Sequence, residues 1–133
     1  ACLPVGPHYV ILQADLTDGE RAALSTRVDM HLPELQISDW NATAALVSAL
    51  DVVVTVDTSM AHLAGALGKP TWVLLPYAPD WRWQLQRADS PWYSGVRLLR
   101  QSAPGQWAQP LQAMADALAA WQASTEKARA TQR

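Results

Sequence analysis

The sequence predicts a three-layer α/β/α domain built on a mainly parallel, doubly wound sheet. Three observations predict it. Short apolar strand-like runs alternate with helical stretches along most of the chain. The most hydrophobic run, Val52 to Val56, is β-branched at successive positions, as in a parallel strand covered on both faces. A helix-length spacer separates it from the next strand, which implies a right-handed crossover. The chain has 133 residues, half of them hydrophobic and 17% charged, which suits one folded domain and argues against disorder.

The elements follow in order. Tyr9 to Gln13 reads as a buried strand. Asp18 to Leu24 reads as a short helix with an acidic first turn that complements its dipole. Val28 to Leu32 reads as a second strand, ended by Pro33. Asp39 to Thr43 reads as a turn with Asn41 as helix cap, and Thr43 to Leu50 as a helix with Leu46, Val47 and Leu50 on one face. After the strand Val52 to Val56 comes a helix from Ser59 to Leu67, closed by Gly68 and followed by Pro70. Thr71 to Leu75 is the next strand, stopped by Pro76. Val96 to Leu99 is a further strand, and Trp107 to Trp121 a final amphipathic helix. Residues 1–123 form the domain on this reading, and 124–133 a frayed polar tail. The sequence lacks an initial Met and runs almost at once into a strand, so it is expected to be a piece of a longer protein.

Composition removes several function classes. A net charge of −2 without a long basic run gives no electrostatic case for nucleic acid. No apolar run approaches the ~20 residues that cross a bilayer, and no signal peptide is visible. Cys2 is the only cysteine, so no disulfide forms within the chain, in keeping with a reducing, cytoplasmic location. No His/Cys/Asp cluster has metal-ligand spacing, and His8 and His31 have no partner at such a spacing.

The chemistry concentrates at Asp57-Thr58-Ser59-Met60-Ala61-His62. A strand delivers Asp57, Thr58 and Ser59 to the start of a helix, and His62 follows one turn later. The first amides of a helix have no internal partner and carry partial positive charge, so they suit a phosphate. Two readings stand side by side: an anion cradle, or plain capping by short polar side chains. A Ser59–His62–Asp57 hydrolase triad is disfavoured, because no G-x-S-x-G elbow surrounds the serine. Gly65 inside the helix implies close packing, expected against the sheet. Lys69 is expected at the far end of the helix, where a cation suits the dipole. The loop from Pro76 to Gly95 is long for a compact domain and carries Trp81, Trp83 and Trp92, Tyr77 and Tyr93, and Arg82 and Arg87. Its aromatic faces can stack on sugars or seal the core, and Asp80 and Asp89 are expected to pair with Arg82 and Arg87.

The string D-T-S-M-A-H-L-A-G-A-L-G-K-P resembles the D-T-G-x-x-H-L-x-A-A-x-x-x-P signature of the ADP-heptose:lipopolysaccharide heptosyltransferase family, glycosyltransferase family 9. The continuation through P-Y-A-P-D-W-R-W, R-x-D-S-P-W-Y and R-L-L-R-Q resembles the subgroup found behind tetratricopeptide repeats in bacterial proteins. The resemblance spans roughly Val28 to Trp121. It implies a Rossmann-like fold, the C-terminal half of a GT-B pair, which binds the nucleotide-sugar donor. By position, Asp57, Thr58, Ser59 and His62 would hold the donor's diphosphate and sugar; on this reading the amides from Thr58 to Met60 face the diphosphate, and Arg82 in the aromatic loop borders the sugar or acceptor side. The catalytic base would lie in a separate N-terminal GT-B domain, so no catalytic residue is expected here. Neither a cofactor nor a metal is implied. Ser59 departs from the family's usual glycine, which leaves donor identity open. The alternative reading is a non-catalytic GT-B-like ligand-binding or scaffold module attached to tetratricopeptide repeats. A nucleotide-sugar epimerase is a further rival. A flavodoxin-like binding domain is disfavoured by the lack of a Gly-rich loop after the first strand.

Overall fold

The computed structural model describes residues 3–33 and 39–131. Among these the order is β1 (Tyr9–Val10), α1 (Asp18–Ser25), β2 (Met30–His31), α2 (Trp40–Ala49), β3 (Val53–Val56), α3 (Ser59–Ala66), β4 (Thr71–Leu75), a 3-10 turn (Trp81–Trp83), β5 (Val96–Arg100) and α4 (Ala108–Thr131). All strand pairs are parallel: β1 with β2, and β3-β4-β5 in that order. The fold is α/β and Rossmann-like, as the alternation implied.

Local chemistry sets the helix ends. Thr17 and Glu20 form a reciprocal capping box at α1, with the Thr17 amide donating to Glu20 Oε2 at 2.8 Å. Asp39, rather than Asn41, caps α2: its Oδ1 accepts from the Asn41 amide at 2.9 Å, so the helix starts at Trp40, earlier than the sequence suggested. An aspartate at that position competes well because its carboxylate also meets the helix dipole. At the end of α3, Gly68 has φ +70° and its amide bonds Gly65 O, while the Lys69 amide bonds Ala64 O. This is a Schellman closure, and the left-handed residue is the glycine that tolerates it.

Three apolar clusters hold the layers together. Ala61 of α3 packs with Val73, Leu75, Val96, Leu98 and the fully buried Trp83 on one face of the sheet. Met114 and Leu118 of α4 pack with Trp72, Leu74 and Leu99 on the other. Val47 of α2 and Ala64 of α3 meet Val53. All five residues of β4 are buried, as a central parallel strand requires.

Three expectations need correction. β3 is not covered on both faces: Val53 is buried, but Val54 and Val56 are 36% and 48% exposed. The reason is position, since β3 is an edge strand and α4 packs over β4 and β5. Strand β1 is two residues long rather than five, because its ladder to β2 spans only two registers. The polar segment expected to fray after Ala123 is instead the exposed end of α4 as far as Thr131. Its Ala, Gln, Glu, Lys and Arg residues are good helix formers, and Gln122 Nε2 donates to Glu126 Oε1 at 3.1 Å one turn on. Gln132 and Arg133 lie outside the described residues, as does Cys2.

Candidate functional site

The site forms where β3 ends and α3 begins. Asp57 and Thr58 leave the strand and Ser59 opens the helix; all three are exposed. Thr58 is the N-cap residue, with φ −140° and ψ 173°, yet no side chain caps this helix. Its Oγ1 lies 3.3 Å from Thr55 Oγ1 instead, and its carbonyl accepts from the Ala61 amide at 3.0 Å. Among the described residues, the amides of Thr58, Ser59 and Met60 have no protein acceptor. The contrast with three other helix starts is direct. Thr17, Asp39 and Asp80 each cap the amides that follow them at α1, α2 and the 3-10 turn. The capping reading of Asp57-Thr58-Ser59 therefore fails, and the first amides of α3 stand uncapped at its dipole-positive end.

His62 sits half-buried one turn along. Its Nδ1 is 3.1 Å from the Tyr93 hydroxyl, and its ring stacks on Trp83 at 5.0 Å between centroids with 23° between planes. Tyr93 also meets it edge-on at 5.8 Å. These contacts fix the imidazole between two aromatic rings and engage one nitrogen. Tyr93 reaches this position because Gly65 has no side chain. A Cβ at Gly65 would lie 2.6 Å from Tyr93 Cγ, closer than atoms can approach. The expected close packing of Gly65 is thus against Tyr93 of the long loop and not against the sheet.

The loop is anchored rather than loose. The Asp80 carboxylate accepts from the Arg82 amide at 3.0 Å and from its guanidinium at 2.9 Å, which hold the carboxyl below the usual range. Arg87 and Asp89 pair at 2.7 Å. Both pairings match expectation. Arg100 reaches up from β5, its guanidinium bonding the carbonyls of Arg87 and Trp83, and burial lowers its pKa. Gln101, buried, accepts from the Tyr77 and Gly105 amides and ties the start of the loop to the approach to α4.

The structure thus places Asp57 and Thr58 at the turn from β3 into α3, and Ser59, Met60 and His62 in the first turns of that helix. The Arg82 guanidinium is paired with Asp80 and lies 4.9 Å from the Trp81 ring centroid. Trp83 is core, while Trp81 and Trp92 are exposed and meet edge-on at 6.5 Å, with Trp92 Nε1 donating to Arg82 O at 3.0 Å. Lys69 ends beyond α3 as expected, but its ammonium donates to Leu50 O at 2.8 Å and so closes α2. His8 and His31, which have no partner at metal-ligand spacing in the sequence, face each other with ring nitrogens 2.9 Å apart. Among the described residues no group of three or more His, Cys, Asp or Glu is placed to hold a metal ion. No helix there is long and apolar enough to cross a membrane.

Tyr93 and Trp83, which orient His62, were visible in the sequence only as aromatics of the long loop. The one signal that pointed at Tyr93 was the glycine at position 65, a costly residue inside a helix.

Neither a curated protein nor a solved structure matches the chain. The family model described as glycosyltransferase family 9 (heptosyltransferase) matches residues 20–104, a span that contains the uncapped helix start, His62, Gly65 and the whole aromatic loop. That match extends over well more than half of the chain, which belongs to glycosyltransferase family 9.

Proposed function

We propose that this chain is the donor-binding domain of a glycosyltransferase and holds the diphosphate of a nucleotide-sugar. The supporting observation is the start of α3, where no side chain caps the helix and no protein acceptor meets the Thr58, Ser59 and Met60 amides among the described residues. A diphosphate would accept from the Thr58, Ser59 and Met60 amides and from the hydroxyls of Thr58 and Ser59. His62, oriented by Tyr93 and Trp83, would donate through its remaining ring nitrogen. Asp57, exposed beside them, would take sugar hydroxyls, since an anion would repel it. Arg82 and the exposed Trp81 and Trp92 would border the sugar or acceptor.

The chemistry follows from charge. As the bond between the anomeric carbon and the β-phosphate oxygen breaks, its electron pair stays on the diphosphate. Fixed amide dipoles and His62 stabilise that growing charge without reorganising. The acceptor oxygen forms the new bond and yields its proton to a base in a separate N-terminal GT-B domain. No divalent metal or cofactor is needed for this scheme. The same reading places the chain in the cytoplasm, behind tetratricopeptide repeats.

The test is calorimetric titration of the intact protein with ADP-, UDP- and GDP-sugars, with product analysis alongside. His62→Ala should weaken the preferred donor about 10- to 100-fold, the range for a hydrogen bond to a charged group. Unchanged affinity removes His62 from the site. Donor binding without any product would favour a non-catalytic ligand-binding module over an enzyme.

A further inference from the structure

His8 and His31 are 23 residues apart in the chain, yet they meet side by side on the surface. Val10 pairs with His31 in the parallel ladder, and His8 lies two residues before Val10. Side chains alternate along a strand, so both imidazoles belong to one face. His8 Nδ1 is 2.9 Å from His31 Nε2, and the rings stack at 5.1 Å between centroids with 29° between planes.

The chain around the pair is fixed from several directions. The Arg27 guanidinium holds both carboxylate oxygens of Asp29, at 2.9 and 2.6 Å. It also donates to Leu3 O and Pro4 O at 3.3 Å and lies 5.5 Å from the Tyr9 ring centroid. The Tyr9 hydroxyl donates to Pro4 O at 2.8 Å. These contacts tie the segment that carries His8 to the segment that carries His31, which preorganises the two rings.

We infer that His8 and His31 form a two-point chelate for a divalent transition metal, suited to copper and nickel more than to zinc. Imidazole nitrogens bind such metals at ~2.0–2.1 Å. Two of them at right angles about one metal lie ~2.8–3.0 Å apart, which brackets the observed 2.9 Å. At a tetrahedral angle they lie ~3.3–3.4 Å apart, so the spacing matches square-planar or tetragonal coordination better than the tetrahedral zinc site. The proton balance is simple. In the metal-free pair one of these nitrogens carries a hydrogen and shares it with the other. A neutral imidazole carries its one hydrogen on either nitrogen. Moving it through water to the far nitrogen of the same ring leaves two adjacent lone pairs, and both rings stay neutral. Asp29 adds no ligand, because Arg27 occupies both of its oxygens. Both histidines are exposed, so water reaches the remaining coordination positions. The metal would clip β1 to β2, whose ladder spans only two registers. The pair shares no residue with the α3 turn, so this inference stands whatever that turn binds.

Copper titration followed by nuclear magnetic resonance tests it. A Cys2→Ser background removes a thiol that would capture or reduce the metal. Substoichiometric Cu²⁺, which is paramagnetic, should broaden the His8 and His31 ring resonances before those of His62. By calorimetry, His8→Ala and His31→Ala should each weaken copper at least ~10-fold, since either change leaves a single imidazole and no chelate. Nickel should bind more tightly than zinc. Absence of saturable copper binding overturns the inference. So does an affinity that survives either substitution, broadening that begins elsewhere, or zinc binding more tightly than nickel.

Discussion

At the residue scale the site depends on an absence at position 65. Gly65 admits the Tyr93 ring, Tyr93 bonds His62, and Trp83 stacks on the imidazole. Gly65→Ala removes helix-interior glycine, which alone favours folding by about 1 kcal/mol. It also drives a methyl to 2.6 Å from Tyr93 Cγ. Overpacking costs typically ~1–3 kcal/mol, so the clash wins and net stability should fall. Denaturant unfolding checks this, and a more stable variant would show that the ring moves aside freely. Protonation gives a second expectation. Asp29 is held below its ordinary range first by hydrogen bonds from Arg27, and Asp80 first by the Arg82 amide. A carboxyl depressed on folding contributes its stability above its unfolded pKa, about 3.9. That contribution disappears as pH falls through the lower folded value. Melting temperature should therefore decline below about pH 4, and Asp29→Asn should flatten the decline. A profile identical to that of the unchanged chain would remove Asp29 from the account. The Asp57-Thr58-Ser59-His62 turn was legible in the sequence because a helix start is a local event with a local signature. The role of Tyr93 was not, because a contact 31 residues away leaves no periodicity to read.

At the element scale, pattern reading succeeded where neighbours cover a strand on both sides and faltered at edges. β4 matched its expected range because a fully buried strand is marked by continuous apolar residues and ended by proline. β3 is also largely apolar, yet Val54 and Val56 stand exposed, since composition does not record which strand lies alongside. The start of α2 was misplaced because Asp39 and Asn41 both make good caps, and only geometry selects between them. α4 extends past its expected end because helix propensity persists after its apolar stripe fades at Trp121. The 3-10 turn offers the sharpest mutational test of packing. Trp83 is fully buried between α3 and the sheet. Trp83→Ala should cost about 3–5 kcal/mol, enough to unfold many domains of this size. It should also loosen His62, visible as lost dispersion of the imidazole resonances, whereas Trp81→Ala, at an exposed position, should change stability little. Equal costs for the two tryptophans would contradict the assignment of core and surface roles.

At the scale of the whole molecule, membership of glycosyltransferase family 9 and an uncapped helix start point the same way. The fold sets both ends of the argument. Parallel strands bring successive carboxyl ends to one rim, where Asp57 follows β3 and the aromatic loop follows β4. Helix α3 then aims its free amides out of that rim, and the loop folds back so that Trp83 and Tyr93 grip His62. Three of the proposed ligands are main-chain amides, so no side-chain substitution deletes them, and spectroscopy reads them best. The most direct measurement is therefore an amide-resolved titration of the intact protein with ADP, UDP and GDP. The account predicts that at least one of these diphosphates moves the amide resonances of Thr58, Ser59 and Met60 most, together with the His62 ring. Saturating binding that leaves those three amides unmoved and shifts a different surface would contradict it.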